Sequence, residues 1–285
     1  MTTDTTTAFF RHNQLTGEQY EWVARLVYEH SRINLGSNKL DLLSSRLSKR
    51  IRVLGMQGFD DYIRLLKSTE GPEELANLVD VVSTNHTHFF REIQHFQFLE
   101  NRALPEISKH LNGESFRIWS AASSSGEEPY SLGITLYDFF AAHPQMAWSI
   151  TATDISTRIL DKARKAIYSE ERLGPVGRER TQRYFQKGTG DWNGYFRVKK
   201  FLREKVVFHH VNLLQPSYPF SHLFHIIFCR NVMIYFDRAT QEDLVGRLYK
   251  RLHPGGYLMV GHSESLTGLK HSFRPVQPAV YRKEP

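Results

Sequence analysis

Polar residues of a few recurring types follow four apolar, β-prone runs in this chain. Ser120-Ala121-Ala122-Ser123-Ser124-Ser125-Gly126-Glu127-Glu128 follows the run ending at Trp119, and Thr153-Asp154-Ile155-Ser156 the run from Trp148. Asn212-Leu213 follows the run from Val206, and Arg230-Asn231 the run from Ile226. The small residues of the first stretch let a backbone approach a ligand closely, and a helix start after them offers unpaired N–H groups. A carboxylate placed like Asp154 can accept two hydrogen bonds from a ribose diol. An Asn side chain donates and accepts, so Asn212 and Asn231 can read an adenine edge or an amino-acid head group. Singly, each stretch has a plainer role: a strand-helix turn at 120–126, a helix cap at Asp154 or Ser156. Four polar ends in succession point to a ligand site. The spacing Gly-x-Gly-x-x-Gly is missing from the first stretch, which weighs against hydride transfer with a dinucleotide.

Apolar spacing indicates the elements that must hold those ends. Phe116-Arg117-Ile118-Trp119, Trp148 to Thr153, Val206 to Val211, Ile226 to Cys229 and Tyr257 to Val260 read as strands, most of them rich in β-branched and aromatic residues. Helical segments fall between several of them, at Glu127 to Phe140, Ser156 to Ala166 and Ala239 to Leu252. This alternation predicts an α/β fold, a parallel sheet covered on both faces, with ligands beyond the carboxyl ends of its strands. Two segments depart from it. Residues 186–208 are glycine-rich and then amphipathic, which predicts a small inserted β unit. After Val260, Phe273 and Ala279-Val280-Tyr281 follow with no usable helix between, which predicts an antiparallel hairpin closing the sheet.

The first third reads as a helical bundle. Thr16 and Gln19 have capping-box spacing, with Trp22 and Leu26, joined by Val23 and Val27, as the apolar face behind them. A second helix spans Lys39 to Leu54 with Leu43, Leu47 and Ile51 inward, ended by Gly55; Tyr62, Leu65 and Leu66 mark a third, and Pro72 opens a fourth running to Val82. On the second helix Arg46, Lys49 and Arg50, at i, i+3 and i+4, share one face.

Composition narrows the function classes. The 285 residues carry a net charge of +7, which favours acidic partners without choosing among them. No apolar run approaches the roughly 20 residues of a bilayer crossing. Residues 1–14 lack a basic segment followed by an apolar core, so they do not read as a signal peptide. The single cysteine, Cys229, excludes an intrachain disulfide and fits a cytoplasmic location.

Three blocks together resemble a known family. Thr84-Asn85-His86-Thr87-His88-Phe89-Phe90-Arg91-Glu92, Trp119-Ser120-Ala121-Ala122 with Ser125-Gly126-Glu127-Glu128-Pro129-Tyr130-Ser131, and Phe228-Cys229-Arg230-Asn231-Val232-Met233-Ile234-Tyr235-Phe236 look like those of the CheR-type chemotaxis receptor glutamate methyltransferases. The resemblance implies a helical N-terminal domain at 1–82 and a linker carrying cofactor contacts at 83–104. It implies next a Rossmann-like class I methyltransferase domain at 105–285 that binds S-adenosylmethionine, with a β-subdomain at about 186–208. Carried over by position, it implies cofactor contacts from Asn85, Thr87, Arg91, Glu128 and Asp154. Asn212, Leu213, Arg230 and Asn231 complete that set, and Arg91 and Tyr235 become the candidates for catalysis. The implied partner is the cytoplasmic domain of methyl-accepting receptors, whose C-terminal peptide would dock on the β-subdomain. Against an acidic receptor bundle, Arg46, Lys49 and Arg50 become a docking face rather than a merely solvated one.

Such a reaction suits these residues. A glutamate side chain, with a reference pKa of about 4.3, is ionised at pH 7 and needs no strong base, so positioning and desolvation remain. Other classes fit less well. Arg230-Asn231-Val232-Met233 is unlike the Asn-Pro-Pro-Tyr type of sequence expected in base-methylating enzymes, which argues against a nucleic-acid substrate. A binding-only adaptor would be expected to lose Arg91, Asp154 or Tyr235, and all three are present. No metal is expected: among 14 histidines, His209-His210, His86-x-His88 and His262-Ser263-Glu264 lack partners at ligand spacing.

Overall fold

The computed structural model describes residues 15–284 except 37, 112 and 143. Residues 1–14, read above as unlike a signal peptide, lie outside the described residues. The described residues form two compact units, one of residues 15–84 with 235–237, the other of residues 85–234 with 238–284.

The first unit is all α: α1 (Gly17–Ser31), α2 (Leu40–Val53), α3 (Phe59–Lys67) and α4 (Gly71–Val82). Both bonds of the capping box form, Gln19 N–H to Thr16 Oγ1 at 3.2 Å and Thr16 N–H to Gln19 Oε1 at 2.9 Å. The core face of α1 is Tyr20, Val23 and Val27, while Trp22 and Leu26 are only partly buried against it. The expected apolar face was therefore turned, because Tyr20 competes with Trp22 and is the one buried. Leu43, Leu47 and Ile51 of α2 meet Phe59, Tyr62 and Leu66 of α3 and Leu78 of α4 in one cluster. Gly55, at φ +69°, follows the end of α2 in a conformation that favours glycine.

The basic face of α2 is divided by its neighbours. Arg46 Nη1 donates to the carbonyls of Val82 at 2.7 Å, Ser83 at 3.2 Å and Val81 at 3.3 Å, so it neutralises the carboxyl end of α4. Arg50 forks onto Glu74, Nε to Oε1 at 2.9 Å and Nη2 to Oε2 at 2.6 Å. Glu74 is buried and also accepts from Tyr62 Oη at 2.7 Å and Asn77 Nδ2 at 3.1 Å. Arg46 and Arg50 thus bind the bundle together while staying partly exposed, and Lys49 is the fully exposed member of the three.

The second unit is a doubly wound α/β sheet, Rossmann-like in plan. Helices α5 (Ile93–Phe98) and α6 (Leu104–Ser108), joined through a π turn at Leu99–Ala103, begin within the expected linker. Strand β1 (Phe116–Ser120) leads through α7 (Glu127–Phe140) to β2 (Trp148–Asp154), followed by α8 (Thr157–Lys165). Next come β3 (Ile167–Ser169), α9 (Arg178–Tyr184), β4 (Phe185–Lys187), β5 (Tyr195–Val198) and α10 (Lys200–Arg203). The main sheet resumes with β6 (Val206–His210) and β7 (Phe224–Cys229), then α11 (Arg238–Arg251), β8 (Leu252–Val260), β9 (Phe273–Gln277) and β10 (Val280–Lys283).

The main sheet runs β6-β2-β1-β7-β8-β10-β9, with every pairing parallel except the two made by β10, which lies antiparallel between β8 and β9 and forms with β9 the expected closing hairpin. The chain leaves β1 toward β2 and β6, then returns to β7 on the other side of β1. That reversal opens a crevice at the carboxyl ends of β1 and β7. The inserted sheet is β3-β5-β4, antiparallel, so it starts at Ile167 and ends at Val198 rather than spanning 186–208. Strand β3 is too short to show alternation, and Val206 to Phe208 pair with β2 in the main sheet.

Candidate active site

The loop after β1 is tied to both neighbouring strands. Ala121 N–H donates to Phe228 O at 2.7 Å on one side, and Ser123 N–H to Thr153 O at 2.8 Å on the other. Trp119 Nε1 reaches Thr153 Oγ1 at 2.9 Å, and that hydroxyl donates on to Ala121 O at 3.0 Å. At Gly126, φ is +98° and a Cβ would lie 2.7 Å from the Tyr168 hydroxyl, so glycine is required where the loop enters α7.

Asp154 links two loops. Its Oδ2 accepts from Ser124 N–H at 2.8 Å and its Oδ1 from Ser156 N–H at 3.0 Å, in a site only 7% exposed. The cap of α8 is Ser156, whose Oγ accepts from Ile159 N–H at 3.1 Å. The helix cap left open for this stretch belongs to the serine, while Asp154 ties the end of β2 to the loop after β1. Beyond β6, Asn212 Oδ1 accepts from Leu214 N–H at 3.0 Å, and Leu213 O accepts from the Tyr218 hydroxyl at 2.6 Å.

Arg230 is the hub. Its side chain is 2% exposed and pairs with Glu128 at 2.9 Å and Glu92 at 3.0 Å, while Nη2 also donates to the Arg91 carbonyl. Glu128 accepts from Ser120 Oγ at 2.7 Å on its other oxygen. Burial pushes the Glu128 carboxyl above the usual range despite the opposing guanidinium. Burial raises Glu92 too, but Arg230, Asn231 and the His262 N–H more than offset it, and that carboxyl ends lowered. Asn231 sits at φ +57° and sends its Nδ2 to Glu92 Oε1 at 3.3 Å.

The stretch 85–91 enters the same unit. Asn85 O accepts from Ser124 Oγ at 3.0 Å, Arg91 Nη1 donates to His86 O at 2.9 Å, and Thr87 is half-buried between them in sequence. The structure therefore joins Arg91, Glu128, Arg230 and Asn231 in one network and Asp154 with Asn85 through Ser124. Tyr235 has its contacts in the helical unit: its carbonyl accepts from Asn34 N–H at 2.8 Å, and the Lys39 ammonium lies 5.7 Å from its ring centre.

Among the described residues, two mixed groups of carboxylate and imidazole bring donor atoms within 4.8 Å, Glu92/His95/His262 and Glu114/His225/His253. In the first, Glu92 is already engaged by Arg230. In the second, His225 Nδ1 accepts from Arg117 N–H at 3.1 Å, which places the imidazole proton on Nε2. Burial lowers the His225 pKa to about 4 and that of His95 to about 3, so both rings are neutral near pH 7.

Residues 85–282 match a family described as CheR methyltransferase, SAM binding domain, and residues 18–83 match CheR methyltransferase, all-alpha domain. The chain belongs to the CheR methyltransferase family. It is 40% identical over 274 residues to a chemotaxis protein methyltransferase of Borreliella burgdorferi, covering 94% of this chain and 95% of that one. A namesake from Salmonella typhimurium is 40% identical over 267 residues, covering 94% and 90%. Chemotaxis protein methyltransferase 2 of Pseudomonas aeruginosa is 38% identical over 283 residues, covering 99% of each.

Within this CheR-family domain, the network also contains carboxylates that sequence reasoning left without a role. Glu92 lies inside a quoted motif yet has no spacing signal of its own. Glu264 follows β8, so the rule that singled out the ends of β1, β2, β6 and β7 would have found it if extended to the next parallel strand. In sequence it stood out only beside His262, as a poor metal ligand.

Proposed function

We propose that this chain transfers the methyl group of S-adenosylmethionine to glutamate side-chain carboxylates on the cytoplasmic domains of methyl-accepting chemotaxis receptors. The products are glutamate methyl esters and S-adenosylhomocysteine. The observation that carries the reading is the convergence of Asp154, Arg230 and Asn231 on the carboxyl ends of β2 and β7, in a chain of the CheR methyltransferase family.

The donor set fits the cofactor. Asp154 is acceptor-only and fixed by two backbone N–H groups, which suits a ribose diol. The small residues 120–126 suit close backbone approach, and Asn212 with Leu213 suits an adenine edge. Asn85, Thr87, Arg91, Glu128, Arg230 and Asn231 complete the proposed binding set. S-adenosylmethionine, when bound, supplies an electrophilic methyl group on a sulfonium.

The chain's own residues then have no proton to remove, because the glutamate carboxylate, with a pKa of about 4.3, is ionised at pH 7. Their work is to orient that carboxylate and keep water from it, where positioning is worth effective molarities of about 10⁵ M or more. We assign the orienting role to Arg91 and Tyr235. Tyr235→Phe is expected to keep calorimetric affinity for S-adenosylhomocysteine while turnover slows; parallel loss of both would place Tyr235 in cofactor binding instead.

Receptor docking in this reading falls to Lys49 with the exposed Arg52 beside it on α2. Trp192 and Tyr195, 56% and 44% exposed on the inserted unit, suit an extended receptor peptide. We place the protein in the cytoplasm; among the described residues no helix is long and apolar enough to cross a membrane.

The test is to incubate the protein with methyl-labelled S-adenosylmethionine and a receptor cytoplasmic fragment, then add alkali. Volatile labelled methanol is the expected product of an ester. Label retained through alkali would indicate N-methylation, and cofactor binding without transfer would favour an adaptor.

A further inference from the structure

Glu264 has no place in the reaction just described, yet its surroundings are built around it. The carboxylate is 7% exposed and takes part in none of the ion pairs among the described residues. It accepts instead from backbone N–H groups: Gly261 at 2.6 Å and Asn231 at 2.8 Å on Oε2, Met233 at 2.7 Å and Ile234 at 3.3 Å on Oε1. Burial raises its pKa, and these backbone bonds act against the rise. Among the described residues, the hydrogen bonds to the group come from four donors. Among side chains of this size, only an ionised carboxylate offers matching acceptor capacity on both oxygens.

The bonded amides belong to two loops, one leaving β7 and one leaving β8. Where the loops meet, Gly261 has no room for a side chain: a Cβ would lie 2.5 Å from Asn231 Nδ2 and 2.9 Å from Glu264 Oε2. Asn231 is held at φ +57°, a left-handed conformation that Asn adopts more readily than other residues with a Cβ. Its N–H goes to Glu264 and its side-chain amide to Glu92.

We propose that Glu264 is a positioning residue, which staples the loop after β7 to the loop after β8 and so sets Arg230 and Asn231 in the geometry that binds the cofactor. It acts through the loop backbone and touches no reacting group. The inference rests on the reading of Arg230 and Asn231 as cofactor contacts.

Three variants of the full chain test it: Glu264→Gln, which keeps the shape but turns an NH2 toward backbone N–H groups; Gly261→Ala, which wedges the same junction without altering charge; and Asn231→Ala, which removes the side chain and keeps the amide. Amide hydrogen exchange of the ligand-free proteins and calorimetric affinity for S-adenosylhomocysteine are measured, with urea unfolding as control. Glu264→Gln is expected to speed exchange at 231–234 and 261, leave exchange in β1 and β2 unchanged, and weaken affinity by about tenfold or more. Gly261→Ala should weaken affinity in the same direction, which also covers the case in which Glu264→Gln does not fold.

Faster local exchange with unchanged affinity in both junction variants would overturn the proposal, as would affinity lost only in step with global unfolding. If Asn231→Ala weakens binding while the junction variants do not, positioning fails and the contact reading stands. If no variant weakens binding, both fail.

Discussion

Arg230→Leu is expected to lower the melting temperature by roughly 10 °C, since stranding buried carboxylates costs about 3–5 kcal/mol and each kcal/mol moves a unit of this size by about 2–4 °C. The loss would not come from the missing guanidinium contacts alone. Glu128 is largely buried, its side chain 11% exposed, already pushed toward protonation, and answered by Arg230 on one oxygen and only a serine hydroxyl on the other. Glu92 depends on the same guanidinium for its low pKa. Removing the cation therefore leaves both carboxylates to take up protons or water. The double variant Arg230→Leu with Glu128→Gln should recover part of the stability but not the affinity for S-adenosylhomocysteine. Thermal melts of the two variants decide the matter. An unchanged melt for Arg230→Leu would mean that the hub carries no stability.

The second large effect lies in the helical unit. Arg50→Glu is expected to destabilise it by about 3–5 kcal/mol, because it sets a carboxylate against Glu74 and leaves both without a cation. Tyr62, whose hydroxyl donates to Glu74 at 2.7 Å, would lose its fixed acceptor as well. Lys49→Glu, one residue away but exposed, should change stability by less than about 0.5 kcal/mol. Its expected effect is a raised KM for the receptor fragment. Urea unfolding followed by circular dichroism separates the two variants. Equal unfolding midpoints would show that the buried pair holds nothing, and an unmoved KM in Lys49→Glu would remove this side chain from docking.

These two sites mark what the sequence could and could not convey. Strands β1, β2, β6 and β7 were legible to within a residue or two, because β-branched and aromatic residues cluster there and a polar residue follows each carboxyl end. The helix Glu127–Phe140 was bounded correctly by Gly126 and the acidic first turn. Periodicity also placed Arg46 and Arg50 on one face of α2. It could not tell that α4 packs against that face, since Glu74 reads in sequence as an ordinary acid in the first turn of a helix. Strand β3 and the π turn at Leu99–Ala103 were invisible for a different reason. Three residues are too few to alternate, and a π turn differs from α in hydrogen bonding rather than in composition. The surroundings of Glu264 are set mainly by tertiary structure, since three of its four partners lie 30, 31 and 33 residues away.

The membership of the helical unit has a consequence for synthesis. Residues 235–237 belong to it, with Asn34 N–H bonded to the Tyr235 carbonyl and the Tyr28 hydroxyl to Asp237. These residues leave the ribosome roughly 150 positions after Thr84, an interval of about 10–30 s at ordinary elongation rates of roughly 5–20 residues per second. Strand β1 meets β2 early but waits about 100 positions for its second neighbour, since Ile118 pairs with Ile226. A nascent chain halted before Ile226 therefore has its four helices and β1 complete in sequence but neither unit closed. The Phe224–Asp237 stretch thus delivers, within about a dozen positions, both the strand that pairs with β1 on its second edge and the last residues of the helical unit, while α11 and β8 to β10 still follow to finish the main sheet.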